Sequence, residues 1–287
     1  MDFLGIDKKY EGFLWVDKRA YRGFNKDMEL IKYGRSLEKL PSDISNLLNH
    51  KEFCDKYYIT NTINKVEHEK ENLKQYLKDI DYEEYVMSVS GGKDSTVCGE
   101  ISMQVMDELN INYRILFGNT SNETHHTYQY VKKIYGDKLE IANPSEGFYS
   151  WCERTTIIPT RFTRNCCGVF KEGNIGIYLE DNKKTLEFMG VRRDESKNRS
   201  SYEQIMINTK WSKEKLSNWK MYNLIIDFND LDVWSYIIYN DLEFNNLYRF
   251  GYGRVGCTNC PYRSDYELSL NKHFLPTYDK KWKKLLE

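Results

Sequence analysis

The sequence lacks the features that attach a chain to a membrane or send it out of the cell. No run of apolar residues approaches the roughly 18 that a membrane-spanning helix needs, and the first residues, Met-Asp-Phe-Leu, have neither the basic nor the apolar region of a signal peptide. The net charge is only −1 at pH 7, so the overall charge does not attract the chain to nucleic acid or an anionic surface. With 40% hydrophobic and 30% charged residues, the sequence predicts a globular cytoplasmic protein.

The seven cysteines do not suit a disulfide framework. Their number is odd, and a chain of 287 residues does not need disulfides to support its core. Their grouping is more informative. Cys166 and Cys167 are adjacent and Cys257 and Cys260 form Cys-x-x-Cys, whereas the other three are scattered.

The most informative segment is Ser-Gly-Gly-Lys-Asp-Ser-Thr at residues 90–96. It lies between an apolar run at 85–89, which predicts a buried strand, and residues 97–109, whose apolar side chains recur at helical spacing. Strand, glycine turn and helix can bind a phosphate group, because the N–H groups of the helix N-terminus converge on the anion. Lys93 would supply positive charge, and Asp94 would orient the loop or help to bind Mg²⁺. The predicted phosphate-binding residues are Ser90, Gly91, Gly92, Lys93, Asp94, Ser95 and Thr96.

From residue 85 the pattern alternates between strand and helix. It predicts an α/β fold, a mostly parallel twisted sheet with helices on both faces. The predicted strands are 85–89, 113–117, 139–141, 186–191 and 222–226, and the predicted helices are 97–109, 124–135, 167–179 and 230–239. We assign residues 81–265 to this domain and residues 266–287 to a basic C-terminal tail. Residues 1–80 form a mainly helical N-terminal extension, with helices at 27–40 and 66–80 and a break at 41–43.

A second charged loop follows the predicted strand at 186–191 and contains Gly190, Arg192 and Arg193. Guanidinium groups pair bidentately with phosphate oxygens, and ligands of open α/β sheets bind outside the carboxyl ends of the strands. We therefore expect the loops at 90, 118 and 190 to border one crevice. Gly190 and Arg192 join the predicted nucleotide-binding residues, and the candidate catalytic residues are Lys93, Asp94, Arg192 and Arg193. A surface cluster of ordinary ion pairs is the alternative for the arginines.

The two cysteine pairs predict a site with four sulfur ligands. Cys-x-x-Cys places two sulfurs on one ion or cluster, and a distant pair completes the set. Adjacent cysteines are awkward for tetrahedral zinc, whereas a four-iron cluster has four separate iron corners. We favour a [4Fe–4S] cluster held by Cys166, Cys167, Cys257 and Cys260. Zinc, inert buried thiols, and a thiol–disulfide pair at Cys257 and Cys260 stay open as alternatives.

Residues 90–95 resemble the PP-loop of the ATP pyrophosphatases, and the motifs together resemble the phosphoadenosine phosphosulfate (PAPS) reductase family of that superfamily. The resemblance covers residues 85–263 and includes the loops at 118–123 and 190–196, Asp-Val-Trp at 232–234, and the segment 246–260. It implies an adenine nucleotide α-hydrolase-like fold. The cysteine set is similar to the [4Fe–4S] ligands of the adenylylsulfate-reducing branch.

Two departures separate this sequence from the sulfonucleotide reductases. Those enzymes share a Glu-Cys-Gly-Leu-His segment near the C-terminus, and no cysteine follows Cys260 here. Their phosphate loop usually lacks the Lys-Asp pair that is present here as Lys93 and Asp94. The resemblance is therefore to iron–sulfur, ATP-cleaving members such as the Dnd-type phosphorothioation proteins.

The sequence thus predicts an ATP pyrophosphatase that adenylylates an acceptor for sulfur transfer. The implied cofactors are ATP, Mg²⁺ and a [4Fe–4S] cluster, with zinc as the other candidate metal. The implied partners are a small-molecule nucleotide, a sulfur-donor protein such as a cysteine desulfurase, a nucleic acid acceptor, and further copies of the chain in an oligomer. Phosphate contacts to such an acceptor are one interpretation of the basic residues at 280–284, and a solvated helix face is the alternative. The alternatives are a sulfonucleotide reductase that produces sulfite, and a non-catalytic nucleotide-binding or redox-sensing subunit.

Overall fold

The computed structural model describes the backbone of residues 2–7, 12–17, 20–24 and 30–34, and it describes residues 50–163, 165–179, 183–207 and 218–287. In these ranges the strands are β1 (Asp2–Asp7), β2 (Gly12–Asp17), β3 (Ala20–Phe24), β4 (Leu30–Gly34), β5 (Glu84–Val89), β6 (Arg114–Gly118), β7 (Leu139–Ala142), β8 (Thr185–Phe188), β9 (Ile205–Ile207) and β10 (Trp219–Tyr222). The α-helices are α1 (His50–Tyr57), α2 (Ile63–Asp79), α3 (Lys93–Glu108), α4 (His125–Tyr135), α5 (Phe148–Thr155), α6 (Gly173–Tyr178), α7 (Asp230–Tyr239), α8 (Asp265–Phe274) and α9 (Pro276–Leu286). Within the same ranges, no helix combines the length and the apolar composition that crossing a bilayer requires.

The chain divides into two compact units, of which the first contains Met1–Glu69 and Phe228–Glu243. In this unit β1 to β4 form an antiparallel sheet in chain order, and α1 packs against α7. The buried carboxylate of Asp232 accepts hydrogen bonds from Lys65 Nζ at 2.7 Å and Thr62 Oγ1 at 2.9 Å. These bonds tie the start of α7 to the segment that leads into α2.

The second unit contains Lys70–Asp227 and Phe244–Glu287, and its centre is a six-stranded sheet. The strand order is β7-β6-β5-β8-β10-β9, and every neighbouring pair is parallel except β10 with β9. The predicted mostly parallel α/β sheet is therefore confirmed.

Helices cover both faces of this sheet. Because alternate residues of a strand face opposite sides, Val86 and Val89 of β5 mark the two faces. On one face α3 lies so close that a Cβ atom at Gly99 would be 3.9 Å from Val89 Cγ1. On the other face Ile175 of α6 packs against a buried cluster that includes Val86 and Leu116.

A carboxylate is buried within the α6 face of the sheet. Glu187 of β8 is 2% exposed, and it accepts hydrogen bonds from Ser88 Oγ and from Trp219 Nε1, the latter at 3.1 Å. Burial raises the pKa of Glu187 to about 7, although both hydrogen bonds favour the charged form.

The predicted helical N-terminal extension is confirmed for the helices between His50 and Asp79, including α2 where 66–80 was predicted. Four strands that the sequence analysis did not predict precede these helices. The predicted helix at 27–40 is wrong for Leu30–Gly34, which forms β4 and pairs with β3. Ladder hydrogen bonds from a neighbouring strand outweigh local helix propensity there. Residues 25–29, the rest of that helix and the break at 41–43 lie outside the described residues.

Most other predicted elements agree with the structure, but one strand is displaced. The run predicted as a strand at 222–226 is a strand only up to Tyr222, and Ile226 N–H then donates to the Asn223 carbonyl in a turn. Leu224 and Ile225 are fully buried within that turn. The predicted basic tail consists mainly of α8 and α9, and Trp282 of α9 packs against Phe148 with ring centroids 6.3 Å apart.

Candidate functional site

The carboxyl ends of three neighbouring strands lie side by side in the second unit. Strand β5 pairs in parallel with β6 on one side and with β8 on the other. The segments that leave these strands, at 90–96, 118–123 and 189–193, therefore emerge at one edge of the sheet, as the sequence analysis expected. Parallel sheets bind ligands at this edge.

The glycine turn between β5 and α3 has the conformation that its sequence predicts. Gly91 has φ +71°, which favours glycine because it has no Cβ. A Cβ atom at Gly91 would also lie 2.7 Å from Thr127 Cγ2. The hydroxyls of Ser90 and Ser95 lie 3.0 Å apart across the turn. Helix α3 begins at Lys93 directly after Gly92, which provides no side-chain cap, and N–H groups at the start of a helix can bind an anion.

Three charged side chains meet at this turn. The Asp94 carboxylate accepts hydrogen bonds from Lys93 Nζ at 2.9 Å and from Arg192 Nε at 2.6 Å. Lys93 is 5% exposed and Arg192 is 3% exposed, so two cations and one anion share a nearly dry site. Burial alone would raise the pKa of Asp94, but the charges of Lys93 and Arg192 outweigh it and hold that pKa below its ordinary value. The structure thus brings three of the four candidate catalytic residues together.

Gly190 allows the two loops to meet. A Cβ atom at Gly190 would lie 2.6 Å from the backbone carbonyl of Asp94 and from the nitrogen of Ser95. No side chain fits in that space, so the backbone after β8 can approach the first turn of α3 only because residue 190 is glycine.

Arg193 has a different environment from Arg192. Its guanidinium donates to Tyr202 O at 2.8 Å through Nε and pairs with the carboxylate of Asp227. The Arg193 side chain is 36% exposed and that of Asp227 is 62% exposed. The structure therefore pairs the fourth candidate catalytic residue with a surface carboxylate and not with Asp94.

The four grouped cysteines line one pocket, although the pairs are 90 residues apart in sequence. They share its wall with Thr120, Asn122, Phe148, Phe170, Lys171, Asn259 and Pro261. Cys167 begins a π-helical turn, Cys167–Glu172, that leads into α6. Cys257 and Cys260 lie in a loop in which Thr258 N–H donates to Asn122 O at 2.7 Å. The loop after β6 therefore supports the Cys-x-x-Cys segment at the same edge of the sheet as the phosphate loop.

Two thiols of this pocket, those of Cys166 and Cys257, have raised pKa values. Burial raises the pKa of Cys257 to about 12, and the Glu123 carboxylate adds to the effect. A hydrogen bond to Cys167 and burial raise the pKa of Cys166, and repulsion from Cys257 and Cys260 contributes. Four thiolates would repel one another here, so a bound cation is what would make them stable.

The donor set is of the kind that the predicted cluster would need, because four thiols line one pocket. All seven cysteines are free thiols in the structure. Across the described part of the chain, no three His, Cys, Asp or Glu side chains are gathered to hold one metal ion. A four-iron cluster takes each thiolate on a different iron, so its ligands surround a volume and do not converge on one point.

Sequence reasoning assigned no role to several residues that support the two sites. Arg263 donates to Cys257 O at 3.0 Å and to Gly256 O at 2.9 Å, which fixes the backbone before the Cys-x-x-Cys turn. Arg254 Nη2 lies 3.6 Å from Cys260 Sγ. Tyr248 and Asn245 contact the phosphate loop. Tyr248 and Arg254 lie in the segment 246–260 that contributes to the family resemblance, and Arg263 follows Cys260 closely, but no role was assigned to these residues.

Comparison with known proteins agrees with this architecture. A family model described as the phosphoadenosine phosphosulfate reductase domain matches residues 84–263. The uncharacterised protein MJ0973 of Methanocaldococcus jannaschii is 31% identical over 224 residues, which cover 75% of this chain and 51% of MJ0973. Adenosine 5'-phosphosulfate reductase 2 of Bacillus subtilis is 24% identical over 204 residues, which cover 65% of this chain and 80% of that enzyme.

Solved structures show the same fold. The FMN adenylyltransferase of Candida glabrata, in complex with FMN and the ATP analogue AMPCPP, superposes with a TM-score of 0.52 at 13% identity and covers 72% of each chain. This likeness shows the fold alone. The chain spans about half the length of MJ0973 and of a second Methanocaldococcus jannaschii relative, MJ0066.

Proposed function

The chain belongs to the phosphoadenosine phosphosulfate reductase domain family, and we propose that it is an ATP pyrophosphatase that adenylylates an acceptor for sulfur transfer. The observation that carries the proposal is the buried group of Lys93, Asp94 and Arg192 at the glycine turn. Two buried cations at the start of a helix suit the high negative charge of a pyrophosphate group. A sulfonucleotide has no β- and γ-phosphates to engage both.

The proposed reaction has two steps. An oxygen of the acceptor attacks the α-phosphorus of ATP, the bond from that phosphorus to the bridging oxygen breaks, and pyrophosphate leaves. Sulfide then attacks the acceptor atom that bears the adenylylated oxygen, which is phosphorus in a backbone phosphate or carbon in a base. The bond from that atom to the oxygen breaks, and AMP leaves with the oxygen. The first step places negative charge on the departing pyrophosphate, which Lys93 and Arg192 stabilise electrostatically. No net oxidation or reduction occurs when sulfide is the donor.

Asp94 acts in this proposal as a positioning residue. Its carboxylate already binds both cations, so it holds Lys93 and Arg192 at the turn. Mg²⁺ would be held chiefly by the phosphates of ATP, as is usual for this ion. Arg193, paired with Asp227, is left out of the charge-stabilising group.

Cys166, Cys167, Cys257 and Cys260 would hold the [4Fe–4S] cluster. When bound, the cluster supplies either a site for the transferred sulfur or a rigid support for the loop after β6. The sulfur donor in this proposal is a partner protein such as a cysteine desulfurase, whose persulfide is reduced to sulfide by a pair of thiols that become a disulfide. The acceptor class we favour is nucleic acid, in keeping with the predicted likeness to the Dnd-type proteins.

A sulfonucleotide reductase that produces sulfite is the second candidate. It is favoured by the relative named adenosine 5'-phosphosulfate reductase 2 and by the four cysteines that line one pocket. It predicts sulfite formation from adenylylsulfate and a thiol donor. A third possibility, a non-catalytic nucleotide-binding or redox-sensing subunit, predicts tight ATP binding without products.

One assay separates the three candidates. Anaerobically purified protein is incubated with Mg²⁺, sulfide and ATP labelled at the α-phosphate, or with adenylylsulfate and a thiol, with nucleic acid as the acceptor. The proposal expects AMP and pyrophosphate in equal amounts, and it expects Lys93→Ala and Arg192→Gln to abolish both. Arg193→Gln is the matched control and should retain activity. Sulfite without AMP from ATP would support the reductase, and ATP binding without products would support the non-catalytic subunit.

A further inference from the structure

One short segment of the second unit reaches the glycine turn from outside it. The backbone N–H of Lys93 donates to Tyr248 Oη at 2.9 Å. Asn245 Nδ2 donates to Gly91 O at 3.2 Å and to Thr127 Oγ1 at 3.0 Å. Both side chains are buried, since Tyr248 is 5% exposed and Asn245 is 1% exposed. Asn245 precedes the 3-10 turn Asn246–Tyr248 and Tyr248 ends it, so one short turn contacts the glycine turn at both Gly91 and Lys93.

The hydrogen bond between Lys93 and Tyr248 uses a backbone N–H that has no acceptor within its own helix. Lys93 is the first residue of α3, and the first N–H groups of a helix have no intrahelical acceptor. These are the groups that bind an anion in such loops. The preceding residue, Gly92, has no side chain to cap them. The Tyr248 hydroxyl therefore acts as a cap at the place where the phosphate loop presents its N–H groups.

A tyrosine hydroxyl can accept one hydrogen bond and donate another at the same time. A carboxylate cap in this position would repel a phosphate group, and an alanine would leave the Lys93 N–H without an acceptor. A hydroxyl avoids both problems. Asn245 complements it, because its amide fixes the carbonyl of Gly91, the residue with the left-handed φ of +71°.

We propose that Tyr248 and Asn245 are positioning residues of the phosphate site, and that the Tyr248 hydroxyl donates its hydrogen to the bound pyrophosphate group. This inference rests on the proposed function. Tyr248 holds the Lys93 N–H in place and contributes a further donor, while Asn245 keeps the glycine turn in the shape that admits the anion. The ligand class is a nucleoside triphosphate or free pyrophosphate and not a nucleoside monophosphate, because the contacts lie at the turn.

The chain offers a matched control in the same segment. Tyr252 is also a buried tyrosine, 2% exposed, and its hydroxyl donates to Asn271 Oδ1 at 2.9 Å. Tyr252→Phe removes one buried hydroxyl and one hydrogen bond, as Tyr248→Phe does, but away from the phosphate loop. Asn245→Asp is a second variant, in which a carboxylate of the same shape cannot donate to Gly91 O.

The test measures the affinity of the full chain for Mg-ATP, pyrophosphate and AMP by titration calorimetry, together with the midpoint of thermal unfolding. We expect Tyr248→Phe to weaken pyrophosphate and ATP binding about ten-fold, the size of one charge-assisted hydrogen bond, and to leave AMP binding nearly unchanged. Asn245→Asp should likewise weaken the binding of pyrophosphate more than the binding of AMP. Tyr252→Phe should lower the unfolding midpoint by a similar amount without altering either affinity.

The outcomes separate this inference from the function on which it rests. If the wild-type chain binds pyrophosphate and Tyr248→Phe binds it equally well, the inference is overturned and the proposed function stands. An equal loss of pyrophosphate and AMP affinity would also overturn it, because that is the mark of general structural damage. If Tyr248→Phe fails to fold, Asn245→Asp decides the question through the ratio of its affinities for pyrophosphate and AMP. If the wild-type chain binds neither ATP nor pyrophosphate, both the function and the inference fail.

Discussion

Replacement of Asp94 by asparagine removes the anion that Lys93 and Arg192 share. Both cations are almost completely buried, and the carboxylate lies within 2.9 Å of each. Removing one partner of a buried ion pair costs about 3–5 kcal/mol. We expect the lower end of that range, about 3 kcal/mol, because Arg192 retains Asp194 at 3.4 Å.

Asp227→Asn is the matched control for this experiment. It removes the carboxylate from the neighbouring arginine, Arg193, in a pair that is 36% and 62% exposed. Exposed pairs contribute about 0–1 kcal/mol. Urea unfolding of the two variants and the wild-type chain, at neutral pH and low salt, gives the comparison.

Added pyrophosphate sharpens the test. A phosphate group supplies the negative charge that Asp94→Asn lacks, so pyrophosphate should raise the unfolding midpoint of this variant more than that of the wild-type chain. The contribution of Asp94 should also fade in acid. Its pKa is lowered in the folded state, so its stabilising effect is present above the unfolded pKa and is lost as pH falls through the lower folded value. Equal destabilisation by Asp94→Asn and Asp227→Asn would refute the claim that the charges at the turn are effectively dry.

Three other perturbations test separate parts of the structure. Because the folded pKa of Glu187 is about 7 against an ordinary 4.5, wild-type stability should fall by about 3 kcal/mol as pH rises through that interval and then level off. Glu187→Gln should show much less of this fall when the free energy of unfolding is measured with urea at pH 5 and pH 8. A variant whose stability depends on pH as strongly as that of the wild type would contradict the raised pKa of Glu187. Gly190→Ala should cost about 1–3 kcal/mol through its clash with the Asp94 backbone, whereas Gly168→Ala, with nothing within 4 Å, should be nearly neutral by the same assay. Anaerobic protein should contain about four irons and four sulfides per chain, and Cys257→Ser should lose them. Zinc alone would contradict the cluster, and an unchanged iron content in the variant would contradict Cys257 as one of its ligands.

Strong local signals in the sequence predicted the elements that form the site. Residues 85–109 combine an apolar run, two glycines and a helical pattern, and they fold as β5, the glycine turn and α3. The helix at 230–239 was predicted with the correct ends, and in the structure the Asn229 side chain caps its first turn. The grouping of the cysteines predicted one site with four sulfur ligands, and the structure places all four cysteines in the wall of one pocket.

Features that depend on distant partners were not predicted. Strands β1 to β4 are held by pairing with one another, and their short sequences contain no pattern strong enough to show it. The buried turn after Tyr222 has the same apolar composition as a strand, so periodicity cannot separate the two. Burial of Leu224 and Ile225 comes from the surrounding unit and not from their own backbone conformation.

The different environments of the two adjacent arginines have a simple cause. Arg192 has extended backbone angles, φ −128° and ψ 143°, whereas Arg193 begins the 3-10 turn Arg193–Glu195, so the backbone changes direction between the two residues. Arg192 therefore turns to Asp94 while Arg193 turns to Asp227. The sequence shows two equivalent arginines, and only the direction of the backbone distinguishes them.

The spacing between Tyr248 and Cys257 has a consequence for how this protein can change. The turn at Asn246–Tyr248 is fixed to the phosphate loop, and Arg263 fixes the backbone at Gly256 and Cys257 only nine residues later. Insertion or deletion of a residue in 249–256 would pull one site out of register with the other. We therefore expect homologues that keep both sites to keep the length of this interval, even where their surface loops differ in length. A design that transfers the cysteine pocket to another sheet would have to include residues 249–256 at their present length.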